Sequence, residues 1–278
     1  MQEVLDQYEA LLPLTVRQIY YILIGQRGYP KTDQFYERLC SHVSNARRGR
    51  LISFSAIRED GVGVIAPTHF VDKDGFYERV RTMGQGYKRD KLARQAVHLE
   101  VWCEGAGMQP QLSRTASPFS VAVYSAGGFD STTAKYQLAQ RICSVGKPAV
   151  ILHLGDLDPS GVAIFRSSAE DVREFVLADR RWLNVDVDFV RVALTPDQVE
   201  RFRLERGGAP KTTDSRSGTW PFVWTCQLEA LPPDTVAALL NAAITERLDA
   251  RIIAEDRALE RQERNEIVYS LPEPRANG

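Results

Sequence analysis

The chain has 278 residues, enough for one large domain or two modest ones, and a hydrophobic fraction of 44% can bury a real core. The formal net charge is -1, so the molecule as a whole is not a basic coat for nucleic acid, and any DNA contact must come from local positive charge. Cys40, Cys103, Cys143 and Cys226 form no CxxC pair and no Cys/His cluster with zinc spacing, which leaves reduced, buried thiols. The opening residues lack the basic start and apolar stretch of a signal peptide, and no apolar run is long enough to span a membrane. The expectation is a cytoplasmic chain with no membrane partner.

The first elements read as helices. Val4 to Leu11 is a short amphipathic candidate stopped by Pro13. Thr15 can cap a second helix to about Ile24, ended by Gly25 and Gly28. Asp33 can cap a third, from about Gln34 to Gly49, which closes with Arg47, Arg48 and Arg50. The apolar pieces at 51–54 and 61–65 suggest a small hairpin. Three helices and a hairpin suggest a winged helix over residues 1–90, with Arg47, Arg48 and Arg50 as the DNA-reading end. A solvated helix end, where cations are favoured anyway, explains the same arginines.

Residues 72–94 are charged, carry several glycines and read as a connector. After them strands alternate with helices. His98–Cys103, Phe119–Tyr124, Ala149–Leu154 and Val185–Val192 read as strands, and Thr132–Cys143 and Val162–Val176 as helices. That alternation predicts a mostly parallel α/β sheet flanked by helices over residues 91–278. A Gly-, Pro- and Thr-rich loop at 207–219 follows, then a helix from about Asp234. The charged stretch from Glu255 onward reads as frayed or solvated.

The most informative segment is 149–161, AVILHLGDLDPSG. An apolar strand ends in Asp156 and Asp158, and alternate residues of an extended chain point the same way, so the two can converge on one cation. Glu104 ends its own apolar strand in front of Gly105-Ala106-Gly107. Carboxylates at the ends of neighbouring parallel strands suit Mg²⁺, which takes a few acid oxygens and keeps several waters. The Asp-x-Asp-Pro-Ser-Gly segment is also readable as a turn with a helix cap.

Glu104 at a strand end, the glycine turn Gly127-Gly128 and Asp156-x-Asp158-Pro-Ser-Gly161 together resemble a Toprim domain. That domain is shared by topoisomerases, primases and some nucleases. The pattern is most similar to the A subunit of topoisomerase VI and its meiotic relative. Where that family reads Glu-Lys-Asp, this chain has Glu104-Gly105-Ala106. The family also carries a nucleophilic tyrosine in a motif like Arg-Asp-Ile-Tyr-Tyr. Arg17-Gln18-Ile19-Tyr20-Tyr21 is similar, with Gln18 replacing the acid, so the carry-over falls on Tyr21.

Helical spacing adds to this. Val16, Ile19, Tyr20 and Leu23 form an apolar stripe that buries Tyr20 and leaves Tyr21 off it, with Arg17 one turn away. Arg17 there can hold a phosphate and stabilise a phenolate. The resemblance covers most of the chain, weakly after residue 195, and describes a compact, bacterial-type relative of the A subunit. It implies Mg²⁺ on Glu104, Asp156 and Asp158, acid–base use of Glu104, double-stranded DNA as partner, a homodimer in which one subunit's tyrosine serves the other's acids, and a separate ATPase subunit. It implies a nucleoid-associated, DNA-cleaving enzyme. Two other readings compete: a Toprim nuclease using metal-activated water, and a DNA-binding module with a vestigial metal site. Lys211, Asp214, Arg216 and Glu229 are further polar candidates near these elements, and Glu229 reads either as an extra acid or as a helix-entry residue.

Overall fold

A computed structural model describes residues 1–58, 67–125, 131–179, 185–210 and 216–270. Helix α1 (Gln2–Gln7) and a 3-10 turn over Glu9–Leu11 precede Pro13. Helix α2 (Val16–Arg27) begins at a capping box made by Thr15 and Gln18 and ends at Gly28, which takes the left-handed conformation that stops helices. Helix α3 (Asp33–Arg48) is capped by Thr32, whose hydroxyl accepts from the Phe35 amide at 3.1 Å, rather than by Asp33. Asp33 is its first residue, where a carboxylate meets the positive end of the helix dipole. Leu14, Ile19, Leu39 and Val43 anchor the core between these helices.

The expected hairpin takes a different form in its first half. Residues Phe54–Ala56 make a 3-10 turn, and strand β2 (Ile57–Arg58) pairs in parallel with β1 (Leu14–Thr15). Its second half, 61–65, lies outside the described residues. The 72–94 connector contains helix α4 (Lys73–Gln85), opened by Asp72, which accepts from the Gly75 amide at 2.7 Å. A good cap and a polar composition make a helix here without a continuous apolar stripe.

The second half is a three-layer α/β arrangement. Strands β3 (His98–Cys103), β4 (Ala122–Ser125), β5 (Ala149–Leu154) and β6 (Val187–Ala193) form one parallel sheet in the order β4-β3-β5-β6. Strand β4 starts three residues later than the apolar run, because Ser117–Phe119 closes a 3-10 turn first. Alternation sorts the faces. Leu99, Val101, Leu152 and Leu154 pack with helices α5 (Gln109–Ala116) and α9 (Pro233–Thr245). Trp102 and Ile151 pack on the other face with helices α6 (Thr132–Val145) and α7 (Pro159–Asp179).

Glu100 lies in the middle of β3, 1% exposed, and is tolerated because Arg141 grips both of its oxygens at 2.8 Å. That grip, with His98, holds its carboxyl below the usual range against the opposing effect of burial. Helix α8 (Pro196–Arg201) follows the sheet under a Thr195 capping box.

The charged stretch from Glu255 is helical as far as Ser270, and residues 271–278 lie outside the described residues. Helix α10 (Ala250–Ser270) turns its acids onto the segment before β3. Asp256, fully buried, accepts from Arg89 at 3.0 Å, and Glu260 pairs with Lys91. Charges that look solvated in sequence are here paired across the chain. No helix among the described residues is long and apolar enough to cross a membrane.

Candidate functional site

The chain leaves β3 through α5 on one face of the sheet to reach β4, and leaves β5 through α7 on the other face to reach β6. The carboxyl ends of β3 and β5 therefore border the crevice where the crossovers diverge, the usual ligand position in open α/β sheets. Glu104 and Asp156 stand there, each just past its strand. The Asp156 amide donates to Glu104 Oε2 at 3.0 Å, which fixes one acid against the other strand's turn.

Gly155 and Gly161 make room for that carboxylate. A β-carbon at Gly155 would lie 2.6 Å from Glu104 Oε2, and one at Gly161 would lie 2.9 Å from it. Asp158 Oδ1 accepts from the Gly161 amide at 2.7 Å, so it caps α7 and also faces Glu104 across Gly161. The cap reading of this aspartate holds. Asp156 turns differently from the expected strand-end pair: its Oδ1 accepts from the Leu228 amide at 2.8 Å, on a 3-10 turn over Leu228–Ala230. The next residue, Glu229, puts Oε1 3.7 Å from the β-position of Gly105 and adds a fourth acid.

Burial and the neighbouring acids raise the proton affinity of Asp156 and Glu104. Burial, then Glu229, pushes the Asp156 carboxyl up to about 7, against the Leu228 amide, with Glu104 and Asp158 adding to the rise. Burial also raises Glu104, joined by Asp158 and Glu229. The nearby cation is Arg191, which the sequence reading missed. The β5–β6 ladder slips by one residue beyond His153–Arg191, next to the turn this arginine holds. Its guanidinium donates to the carbonyls of Gly155, at 3.1 Å, Asp156 and Leu194. It braces the acid-bearing turn through main chain rather than through a carboxylate. His153, buried beside Arg191, is driven down to about 3 and stays neutral. Among the described residues no group of three or more His, Cys, Asp or Glu side chains is arranged to hold a metal ion.

Tyr21 comes to the same place from the other half of the chain. Its hydroxyl donates to Gln227 Oε1 at 2.6 Å, and Arg17 donates to that same oxygen at 3.3 Å. Arg17 and Tyr21 share a helix face as expected. Tyr21 is not off the buried surface, however. It is 8% exposed and Tyr20 is 7% exposed, because α2 is covered on one side by α3 and on another by the 227–230 turn. Burial raises the Tyr21 phenol, Arg17 opposes the rise, and Glu229 adds to it. Tyr20 donates to the Thr32 carbonyl at 3.2 Å and stacks among Phe35 and Tyr36. Tyr21 borders a cavity of about 590 Å³ whose lining mixes Arg17, Lys31 and Arg206 with Asp33 and Glu205. Gln18, which replaces the family's acid, donates to Gln111, and Gln111 donates to the Pro233 carbonyl, so α2 is fastened to the sheet half through buried amides.

Arg47, Arg48 and Arg50 stand apart from this cluster. The Arg47 and Arg50 guanidinia lie 4.6 and 5.3 Å from the Phe54 ring, and Arg48 and Arg50 are exposed. Lys211, Asp214 and the Gly127-Gly128 turn lie outside the described residues. Arg191 and Gln227 carried no local signal, since each acts through contacts made only in the fold. Comparison of the chain with protein-family models, with curated proteins and with solved structures finds no match.

Proposed function

We propose that this chain cleaves phosphodiesters of double-stranded DNA at Glu104, Asp156 and Asp158, with Mg²⁺ held by those carboxylates. The observation that carries the reading is the gathering of these acids at the diverging ends of β3 and β5, where burial, Glu229 and the other acids raise Asp156 to about 7. The donor set fits the ion. One oxygen of each carboxylate takes a backbone amide, and the second has no hydrogen-bond donor among the described residues. Mg²⁺ takes a few carboxylate oxygens and keeps its waters, so it needs no closed protein cage. When bound, it supplies positive charge against the negative charge that develops on the phosphate oxygens.

Tyr21 is the nucleophile of this reading. Its phenol oxygen bonds to phosphorus, the bond from phosphorus to one deoxyribose oxygen breaks, and that oxygen leaves with a proton, as the phenol loses its own. Arg17 beside it pairs with the phosphate. Tyr21 and Asp156 of one chain meet the consecutive residues Gln227 and Leu228. A homodimer then supplies a second site for the second strand and is not needed to complete the first. Arg47, Arg48 and Arg50 hold the duplex backbone, which places the protein on the nucleoid. A separate ATPase subunit is an implication of the family resemblance alone.

One observation favours a second reading. The Tyr21 phenol is buried and raised, and its acceptor is an amide oxygen that cannot take a proton. In that reading water attacks phosphorus, Glu104 or Asp156, both with raised proton affinity, takes its proton, and the bond from phosphorus to one deoxyribose oxygen breaks, that oxygen leaving with a proton.

The test is supercoiled plasmid with Mg²⁺ or Mn²⁺, stopped in denaturant and run with and without proteinase. Cleavage lost in Asp156→Ala supports the site. Ends bound to protein support Tyr21, and free ends support water. Intact plasmid that the protein nonetheless binds, under both metals, overturns the cleavage reading.

A further inference from the structure

Residues 220–224 read Trp-Pro-Phe-Val-Trp, an aromatic density unlike the polar loop before it. The segment is fixed by its own contacts. Trp220 Nε1 donates to the Trp224 carbonyl at 3.0 Å, and Phe222 stacks on Trp224 with ring centroids 4.6 Å apart and planes 28° from parallel. Arg206 lies 4.7 Å from the Trp224 ring centroid. An aromatic wall ordered in advance loses little further entropy when a ligand arrives.

That wall bounds a cavity of about 710 Å³, a volume in the range of small-ligand sites. Trp220 and Phe222 form one side, α7 brings Arg166 and Ser167 to another, and Leu157 and Arg191 close it toward the sheet. Leu157 lies between Asp156 and Asp158, and its antiparallel bridge to Cys226 ties the acid turn to the aromatic segment. The cavity shares Leu157 with the acid turn, and none of Glu104, Asp156, Asp158 and Glu229 lines it. Flat apolar walls with guanidinium groups at their edge match a planar heteroaromatic ring joined to an anion. A base paired within a duplex cannot turn its face into such a recess without leaving its partner.

We infer that this cavity takes one unpaired nucleobase, with its phosphate at the arginines of the cavity's edge. The inference goes beyond the phosphodiester reading of the acid cluster and does not depend on it. The base can come from a strand or from a free nucleotide, since both present the same ring and phosphate.

The experiment uses the full chain in EDTA. The probes are a single-stranded oligonucleotide carrying 2-aminopurine, 2-aminopurine deoxynucleoside monophosphate, the corresponding nucleoside, and a fully paired duplex with the same label. Stacking quenches the label, so emission should fall with the single strand or the monophosphate and change little with the duplex. Trp220→Ala should weaken binding about 5- to 100-fold, the span for losing one stacked base. Trp220→Phe should keep most of it. Arg166→Ala, a substitution on the exposed side of α7, should weaken the monophosphate more than the nucleoside. Quenching by the monophosphate alone identifies a free nucleotide, and quenching by the oligonucleotide identifies a strand. No quenching by either, equal quenching by the duplex, or parental binding in both Trp220→Ala and Arg166→Ala overturns the inference. Because the signal is read without metal, failure of the cleavage reading leaves it standing, and Mg²⁺-dependent cleavage without quenching removes the pocket alone.

Discussion

The Tyr21 hydroxyl and the Asp156 carboxylate are held by adjacent residues of one turn: Gln227 accepts from the first at 2.6 Å, and the Leu228 amide donates to the second at 2.8 Å. A hydroxyl from the second helix and an acid from the third strand of the sheet thus share a support more than 200 residues from the one and about 70 from the other. Movement of the 227–228 turn has to move both.

The first prediction uses that link. If Tyr21 attacks DNA, Tyr21→Phe loses cleavage and the protein–DNA adduct together, while Mg²⁺ binding and DNA affinity stay within about twofold, because only one hydrogen bond is removed. Tyr20→Phe keeps the adduct, since its hydroxyl serves the Thr32 carbonyl. The measurement is denaturing electrophoresis of end-labelled DNA, with mass spectrometry of the adduct peptide. Undiminished cleavage with free ends in Tyr21→Phe assigns the attack to water.

A second prediction concerns the metal. Mg²⁺ at a hundred times its dissociation constant should stabilise the parent by about 2.7 kcal/mol through mass action. Glu104→Ala, Asp156→Ala and Asp158→Ala should each lose most of that thermal shift. Equal shifts in parent and variants would place the ion elsewhere.

The third follows from proton linkage in EDTA. The Asp156 carboxyl titrates near 7 in the fold against an ordinary 3.8. Between those values the folded chain holds a proton that the unfolded chain has lost, so the contribution of this group to stability falls as pH rises through that window. Asp156→Asn keeps an oxygen for the Leu228 amide and removes the charge. At pH 8 it should be more stable than the parent by on the order of 2–4 kcal/mol, with the difference gone by about pH 3.5. Thermal melts across pH check this, and parallel curves from pH 4 to 8 would contradict it.

The arginines of α3 supply the fourth. Replacing Arg47, Arg48 and Arg50 with alanine should weaken duplex binding. Each lost phosphate contact should flatten the plot of log affinity against log salt by about 0.9. Filter binding at several salt concentrations measures the slope, and an unchanged slope moves the DNA surface away from this helix end.

Much of the sheet half is legible locally. The runs at 98–103 and 149–154 are mostly apolar and buried on both faces, as strands covered by helices must be, with Glu100 the charged exception in the first. Thr15 and Gln18 announce the start of α2 in four residues. What escapes is set by partners distant in sequence. Asp256 looks solvated until Arg89 and Arg94 meet it, which is why α10 reads as a frayed tail. Tyr21 looks exposed because the apolar spacing of α2 describes one covered face, whereas the 227–230 turn covers another. Glu104, Asp156 and Asp158 were visible from strand ends, but Asp156 turns to Leu228 for a reason no local pattern contains. Arg191 sits in a strand of ordinary composition and acts only through carbonyls of the neighbouring strand's turn.

The two glycines around Glu104 bear on how this site changes under mutation. A methyl group at Gly155 meets the His153 ring at 2.7 Å as well as the carboxylate, and one at Gly161 meets the Asp156 carbonyl at 2.7 Å. Removing the acid therefore lifts only part of the steric ban at either position. A descendant that had exchanged Glu104 for a neutral residue would still be held to glycine at both places, because the turn requires them whether or not the chemistry survives. The glycines record the shape of the turn, and their presence says nothing about whether the acid beside them is used.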